Sequence, residues 1–363
     1  MDLTQAQPRA EVIIDRDALA ANYRTLTRLA PKSNVACAIK ADAYGLGAEA
    51  VGPRLAREGA KTFYVASLEE GVALRIAFDA AGYTTPEILI FSGFWPAFAD
   101  LYTHHRLSPV INYPEQLKAF QAHGGGAAAL FLDTGMNRLG FSPEDARALA
   151  HSPSAFEGIG LTRIISHMAC GDEASHAQNA AQHTLFTELT SQLPQTALSL
   201  ANTATTLLGE RYHFDEIRPG VGLYGASPVG LNNHPFQPVV TIRAPILQIR
   251  PLGPDQPVGY GASYHTDAAK TLATIALGYG DGLLRSTSPG GYGLVKGARA
   301  PFLGRISMDF SVIDVTGLDV KVGDHVEILG GEIDRLAAAA HTIGYEYLTR
   351  LGSRLARVYR GAP

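Results

Sequence analysis

Residues 35–47 read Val35-Ala36-Cys37-Ala38-Ile39-Lys40-Ala41-Asp42-Ala43-Tyr44-Gly45-Leu46-Gly47. A run of small apolar residues delivers one lysine to the end of a predicted strand, just before a Tyr-Gly-x-Gly loop. Burial disfavours an ammonium ion, so a lysine held there becomes a nucleophilic amine able to condense with an aldehyde near neutral pH. The competing reading is a lysine that caps a core strand and snorkels to solvent. Taken alone, the segment favours the second reading, and the surrounding sequence has to decide.

Working outward, short β-branched or apolar runs begin near Asn34, Lys61, Glu87, Leu107, Ala127, Gly160, Ala197 and Phe214, and most are followed by a helical pattern such as 68–81 or 173–193. That alternation is the signature of a parallel sheet with helical crossovers. Eight such units predict a (β/α)8 TIM-like barrel, whose active site forms where the strands run out at their C-terminal ends. Ser67 with Glu70 reads as a capping box, and Ser142-Pro143 as an N-cap followed by proline at the first helical position. Gly124-Gly125-Gly126 precedes a strand and reads as a helix-to-strand connection rather than a phosphate cradle. Lys40, Asp133, Arg138, His167, Asn202 and Arg218 all fall at or just after predicted strand ends.

Beyond Pro238 the texture changes. Val239-Val240-Thr241-Ile242, 271–276, 310–313 and 325–329 are separated by Gly and Pro turns, with one short helix expected near 332–342, which is a mainly-β pattern. The expected organisation is a barrel over 11–236 and a C-terminal β-domain over 237–363, with 1–10 free to join the latter. The boundary is placed at 232–238, where Asn, His and Pro crowd together.

The chain has 363 residues, 46% hydrophobic and 18% charged, with a formal charge of −4. This balance fits a soluble globular protein with a sizeable core. It excludes a nucleic-acid groove, which needs clustered Lys and Arg, and leaves a small molecule as the expected partner. No stretch approaches the ~18 uninterrupted apolar residues of a membrane span, and residues 1–10 contain no apolar signal core, so a cytoplasmic location is expected. Cys37 and Cys170 are isolated, which suggests neither a disulfide nor a zinc site, and no metal is expected.

Six segments carry a further signal: 35–47, Asp133-Thr134-Gly135-Met136-Asn137-Arg138-Leu139-Gly140, Ser166-His167-Met168-Ala169, Ala201-Asn202-Thr203, Arg218-Pro219-Gly220-Val221-Gly222-Leu223-Tyr224-Gly225, and a C-terminal set. That set comprises Gly259-Tyr260-Gly261, Gly278-Tyr279-Gly280-Asp281-Gly282 and Gly304-Arg305-Ile306-Ser307-Met308-Asp309. In type and order they resemble the alanine racemase family, pyridoxal-phosphate enzymes built from a barrel and a β-domain.

The resemblance implies racemisation of alanine to supply D-alanine for peptidoglycan, with Lys40 as the Schiff-base lysine and D-face base and Tyr260 as the L-face base. It places Arg218 at the pyridine nitrogen, where many other pyridoxal enzymes use a carboxylate, and His167 between Tyr260 and Arg218. Tyr44, Thr203, Gly220 and Val221 are implied at the phosphate, Arg138 and the Met308 backbone N–H at the substrate carboxylate, and Tyr279 at the entrance. Asp309 is carried with its motif but has no assigned step. The family pairs two chains head to tail with shared active sites, so a homodimer is expected.

Local alternatives stay open at this point. Arg218 is able to pair with Glu216 or Asp215, Thr203 to N-cap a helix, His167 to be a satisfied core histidine and Tyr260 an interface aromatic. Rival functions are a racemase of another small amino acid such as serine, a related amino-acid decarboxylase, and a non-catalytic pyridoxal-phosphate carrier. Two departures from the family pattern stand out. Phe131 occupies the position where many members carry a carbamylated lysine that orients the carboxylate-binding arginine, and Ser353 replaces a phosphate-contacting tyrosine.

Overall fold

The computed structural model describes residues 9–231 and 234–362. These form two compact units, one spanning 20–223 and the other joining the segment up to Leu19 with 224–362.

In the first unit, parallel strands lie at Thr62–Val65, Glu87–Ile90, Leu107–Ile111, Gly126–Phe131, Ile159–Ile165, Ala197–Ser199 and Glu216–Ile217. The ring closes through 34–38. Asn34–Val35 pairs with Glu216–Ile217, while Cys37–Ala38 pairs with the Thr62–Val65 strand on the other side. Ala36 N–H donates to Ile217 O at 2.9 Å and Ala38 N–H to Pro219 O at 2.9 Å, so the two short segments are halves of one strand and the barrel has eight. The expected (β/α)8 architecture is therefore present. Its interior contains a layer of Ala36, Tyr64, Leu89, Val110, Ala129, Phe131 and Ile165, with Phe91 packed against it. Such a layer fills the barrel and forces any ligand to its mouth.

Helix starts follow local chemistry. Ser67 Oγ accepts the Glu70 N–H at the start of Leu68–Ala80, and Ser142 Oγ accepts the Asp145 N–H at the start of Pro143–Ala150. The capping box at Ser67 is only half made, because Glu70 turns its carboxylate to the N–H groups of Ala41 and Ala66, both at 2.7 Å. Asn202, not Thr203, caps Thr203–Leu207, by accepting the Thr205 N–H at 2.9 Å.

The second unit is organised by the long strand Val240–Leu252, which pairs antiparallel with Glu11–Asp15, Lys270–Ile275 and His325–Leu329. Glu11–Asp15 also pairs in parallel with Ala356–Arg360. Sequence reading assigned residues 11–19 and 224–236 to the barrel, whereas in the structure they fall with the β-unit. The reason is burial and pairing. Val12, Ile13 and Ile14 are buried in a central strand of the β-sheet, and Ser227 N–H donates to Asp334 Oδ1 at 3.0 Å. Residues 1–8 of the proposed N-terminal extension, and Asn232 and Asn233 at the expected boundary, lie outside the described residues. Among the described residues no helix is long and apolar enough to cross a membrane, and no three His, Cys, Asp or Glu side chains cluster as metal ligands.

Candidate active site

Lys40 follows directly on the strand that closes the barrel, and the chain then turns in an unusual way. Ala41, Asp42, Ala43 and Tyr44 have φ values of 53, 53, 54 and 56°, a left-handed turn of four consecutive non-glycine residues. Each such residue costs roughly 1–2 kcal/mol relative to the right-handed form, so the turn persists only because its surroundings hold it. Ala43 N–H donates to Ile39 O at 2.9 Å, Ala41 N–H to Glu70 Oε1 at 2.7 Å, and Ala48 N–H to Asp42 Oδ1 at 2.7 Å. Glu70 thus anchors the residue next to Lys40, a task that its place in a capping pattern did not reveal.

The Lys40 ammonium is half-buried, with Nζ 5.8 Å from the Phe91 ring centroid. Desolvation lowers its pKa, the Arg138 charge lowers it further, and Glu70 opposes both. A snorkelling lysine would keep its ordinary value, so the site has the electrostatics of an amine nucleophile.

Arg218 is buried. Its Nη1 donates to Ser199 Oγ at 2.6 Å and its Nη2 to the Ser166 carbonyl, while Ser199 Oγ in turn donates to Glu216 O at 2.6 Å. Neither carboxylate suggested as a partner takes it. Glu216 accepts from Tyr64 Oη at 2.8 Å and Asn34 Nδ2 at 3.1 Å and lies 3.6 Å from Arg163, and Asp215 accepts the Leu198 N–H. Arg218 Nε is left buried without a hydrogen-bond partner. An orphaned, charged donor costs free energy unless a ligand acceptor meets it.

His167 sits in the field of three cations. Desolvation, then Arg218, Arg138 and Lys40, push its pKa down to about 3, so the imidazole is neutral. Its Nε2 lies 3.4 Å from Asn202 Nδ2. The structure thus groups Lys40, Arg138, His167 and Arg218 at one end of the barrel.

The expected phosphate residues also converge. Thr203 Oγ1 accepts the N–H groups of Gly220 at 3.0 Å and Gly222 at 3.4 Å. A Cβ on Gly220 would fall 2.2 Å from the Tyr44 hydroxyl, so this position admits only glycine while Tyr44 stays in place. Val221 follows and opens the turn Val221–Tyr224. Hydroxyls and backbone amides at one place, with no carboxylate among them, suit a phosphate.

Arg138 is carried by a turn that Asp133 builds. One carboxylate oxygen, Oδ1, accepts the N–H groups of Gly135, Met136 and Asn137 at 2.9, 2.9 and 3.1 Å. Phe131 is buried in the barrel layer, so the position that many relatives use for a carbamate serves packing here.

Tyr260, Tyr279, Met308 and Asp309 belong to the β-unit. Tyr260, Tyr279 and Met308 are exposed within this single chain. The turns that carry Tyr279 and Met308 are joined, with Tyr279 N–H donating to Ser307 O at 3.0 Å and Gly280 N–H to Met308 O at 2.8 Å. Arg354 bridges Asp281 at 2.9 Å and Asp309 at 2.7 Å, which gives Asp309 a structural task and places Ser353 beside that clamp. Sequence reasoning missed Glu70, Tyr64 and Phe91 as groups around the site, since none lies within the motifs, and it offered Glu216 only as a partner for Arg218.

The family model for the alanine racemase N-terminal domain matches residues 14–228, and that for the C-terminal domain matches 239–359. The chain belongs to the alanine racemase family. An alanine racemase of Rhizobium meliloti is 40% identical over 97% of this chain and 97% of its own, and one of Jannaschia is 43% identical over 95% and 97%. The biosynthetic alanine racemase of Pseudomonas aeruginosa superposes with a TM-score of 0.91 at 34% identity, covering 98% of this chain and 100% of that one. The alanine racemase of Bartonella henselae, solved with covalently bound pyridoxal phosphate, gives a TM-score of 0.90 at 35% identity with the same coverage. The family is pyridoxal-phosphate-dependent, and the orphaned Arg218 Nε together with the Tyr44–Thr203–Gly220 convergence fits that cofactor.

Proposed function

We propose that this chain interconverts L-alanine and D-alanine with pyridoxal 5'-phosphate as cofactor, using Lys40 and Tyr260 as the two bases. The observation that carries the reading is the pairing of a desolvated Lys40 with a buried arginine whose Nε has no protein acceptor. The cofactor supplies an electron sink for loss of the Cα proton. Enantiomers have equal free energies in water, so one base per face is the economical arrangement. Lys40 takes the proton of D-alanine and Tyr260 that of L-alanine.

Arg218 would face the pyridine nitrogen as a fixed cation. A guanidinium keeps its own proton and its charge, so Arg218 would disfavour protonation of the ring nitrogen and would moderate the electron sink that the cofactor supplies. His167, neutral in this field, couples Tyr260 to Arg218. Tyr44, Thr203, Gly220 and Val221 hold the phosphate, while Arg138 and the Met308 N–H bind the substrate carboxylate. Tyr279 narrows the entrance in favour of small side chains.

Arg218 also disfavours a decarboxylase, which would need a carboxylate at the ring nitrogen, and the β-unit with its tyrosines disfavours a bare carrier. As the family resemblance suggests, two chains pair head to tail so that each site takes Tyr260 from the partner subunit, and the enzyme feeds peptidoglycan synthesis from the cytoplasm. The test is Lys40→Ala with L-alanine as substrate and chirally resolved products. The variant is expected to lose both the visible absorbance of bound cofactor and nearly all D-alanine formation. Undiminished absorbance in that variant would assign the wrong lysine.

A further inference from the structure

Two like charges, Lys40 and Arg218, stand close enough to a common aromatic surface to need an explanation. Arg218 Cζ lies 5.8 Å from the Tyr64 ring centroid, and Lys40 Nζ lies 5.8 Å from that of Phe91. The two rings are stacked on each other, with centroids 4.9 Å apart and planes at 20°. Tyr64 is fixed at its far end, where its hydroxyl donates to the buried Glu216 at 2.8 Å. A ring face is electron-rich and attracts a cation within about 6 Å, so both contacts lie at the outer edge of the attractive range.

We propose that the stacked pair Tyr64–Phe91, anchored on Glu216, is a positioning element that sets the places of Lys40 and Arg218 in the reaction. The inference rests on the assignment of those two residues above. Phe91 is the informative member, because it faces Lys40 and has no polar atom of its own. Its ring favours the ammonium form of Lys40 against the desolvation and the Arg138 charge that oppose it. The stack also explains why an arginine remains in place with neutral hydrogen-bond acceptors only.

The test uses the full-length holoenzyme with Phe91 replaced by mono-, di- and trifluorinated phenylalanine. Fluorine drains the ring face while leaving the fold's packing nearly unchanged. The acid limb of kcat for D-alanine should move stepwise to lower pH, because an amine less favoured as ammonium loses its proton earlier. Phe91→Leu should also lose cofactor absorbance on dialysis about three- to tenfold faster than wild type, with Phe91→Tyr close to wild type. An acid limb that stays put across the fluorinated series overturns the proposal, even if Phe91→Leu fails to fold. Borohydride reduction of the wild-type holoenzyme and peptide mapping separates the two failures. Cofactor trapped away from Lys40 sinks the functional assignment, whereas cofactor on Lys40 with a flat series sinks only the stack.

Discussion

Tyr64→Phe isolates one hydroxyl in the middle of the barrel. The ring, its stacking on Phe91 and its place beneath Arg218 are retained, and the change removes the donor that holds Glu216 Oε1 at 2.8 Å. Burial and the neighbouring Glu216 both raise the Tyr64 pKa, so the phenol is a proton donor at every working pH. A hydrogen bond to a charged, buried acceptor contributes about 1.5–3 kcal/mol. The other oxygen of Glu216 keeps Asn34 at 3.1 Å and Arg163 at 3.6 Å, so the carboxylate is weakened rather than abandoned. We therefore expect a loss of about 2 kcal/mol. For a barrel unit of roughly 200 residues, that lowers Tm by about 4–8 °C. The assay is thermal unfolding of the holoenzyme with saturating cofactor, run as a double-mutant cycle with Glu216→Gln. A coupling energy of about 1 kcal/mol or more is expected, since the two groups touch. A Tm within 1 °C of wild type, or strictly additive effects, would refute the reasoning that this bond holds the floor of the site.

Other consequences concern the chemistry. Arg218→Glu should raise transamination relative to racemisation, scored by pyruvate formed per D-alanine, and unchanged partitioning in a variant that still binds cofactor argues against a role at the ring nitrogen. With Phe131 committed to packing, Arg138 has no carbamate beside it, so activity should respond to chloride at constant ionic strength. A flat titration would show that protein groups such as the Asp133 turn suffice. Shared sites predict complementation. Lys40→Ala and Tyr260→Phe, each nearly inactive, should recover roughly a quarter of wild-type activity on co-expression, since half of randomly paired dimers are mixed and each then has one intact site. No recovery in verified mixed dimers would place Tyr260 with the Lys40 of its own chain.

The sequence by itself determined the barrel and the β-rich C-terminal part, and it nominated the groups that we propose react. Strand starts from Asn34 to Ala197 were legible because each strand is a short apolar run bounded by turn residues, and the motif residues were legible because chemistry restricts them to a few side-chain types. Lys40 stood out only once the other motifs were set beside it, since its own apolar stretch equally suits a lysine that caps a strand. What the tertiary structure decided was of another kind. Glu11–Asp15 looks like any first strand, and its place in the β-sheet depends on pairing with residues more than 200 positions away. The left-handed turn at 41–44 contradicts the local preference of alanine and tyrosine, and it exists because Glu70 and Ile39 supply its partners. Glu216 seemed a natural mate for Arg218, two residues along the chain. In a strand, alternate side chains share a face, so proximity in sequence suggested a pair that the barrel did not make. Tyr64 captured the carboxylate instead and left the arginine Nε without a partner, and whether a buried donor is satisfied is decided by what the other strands bring to it.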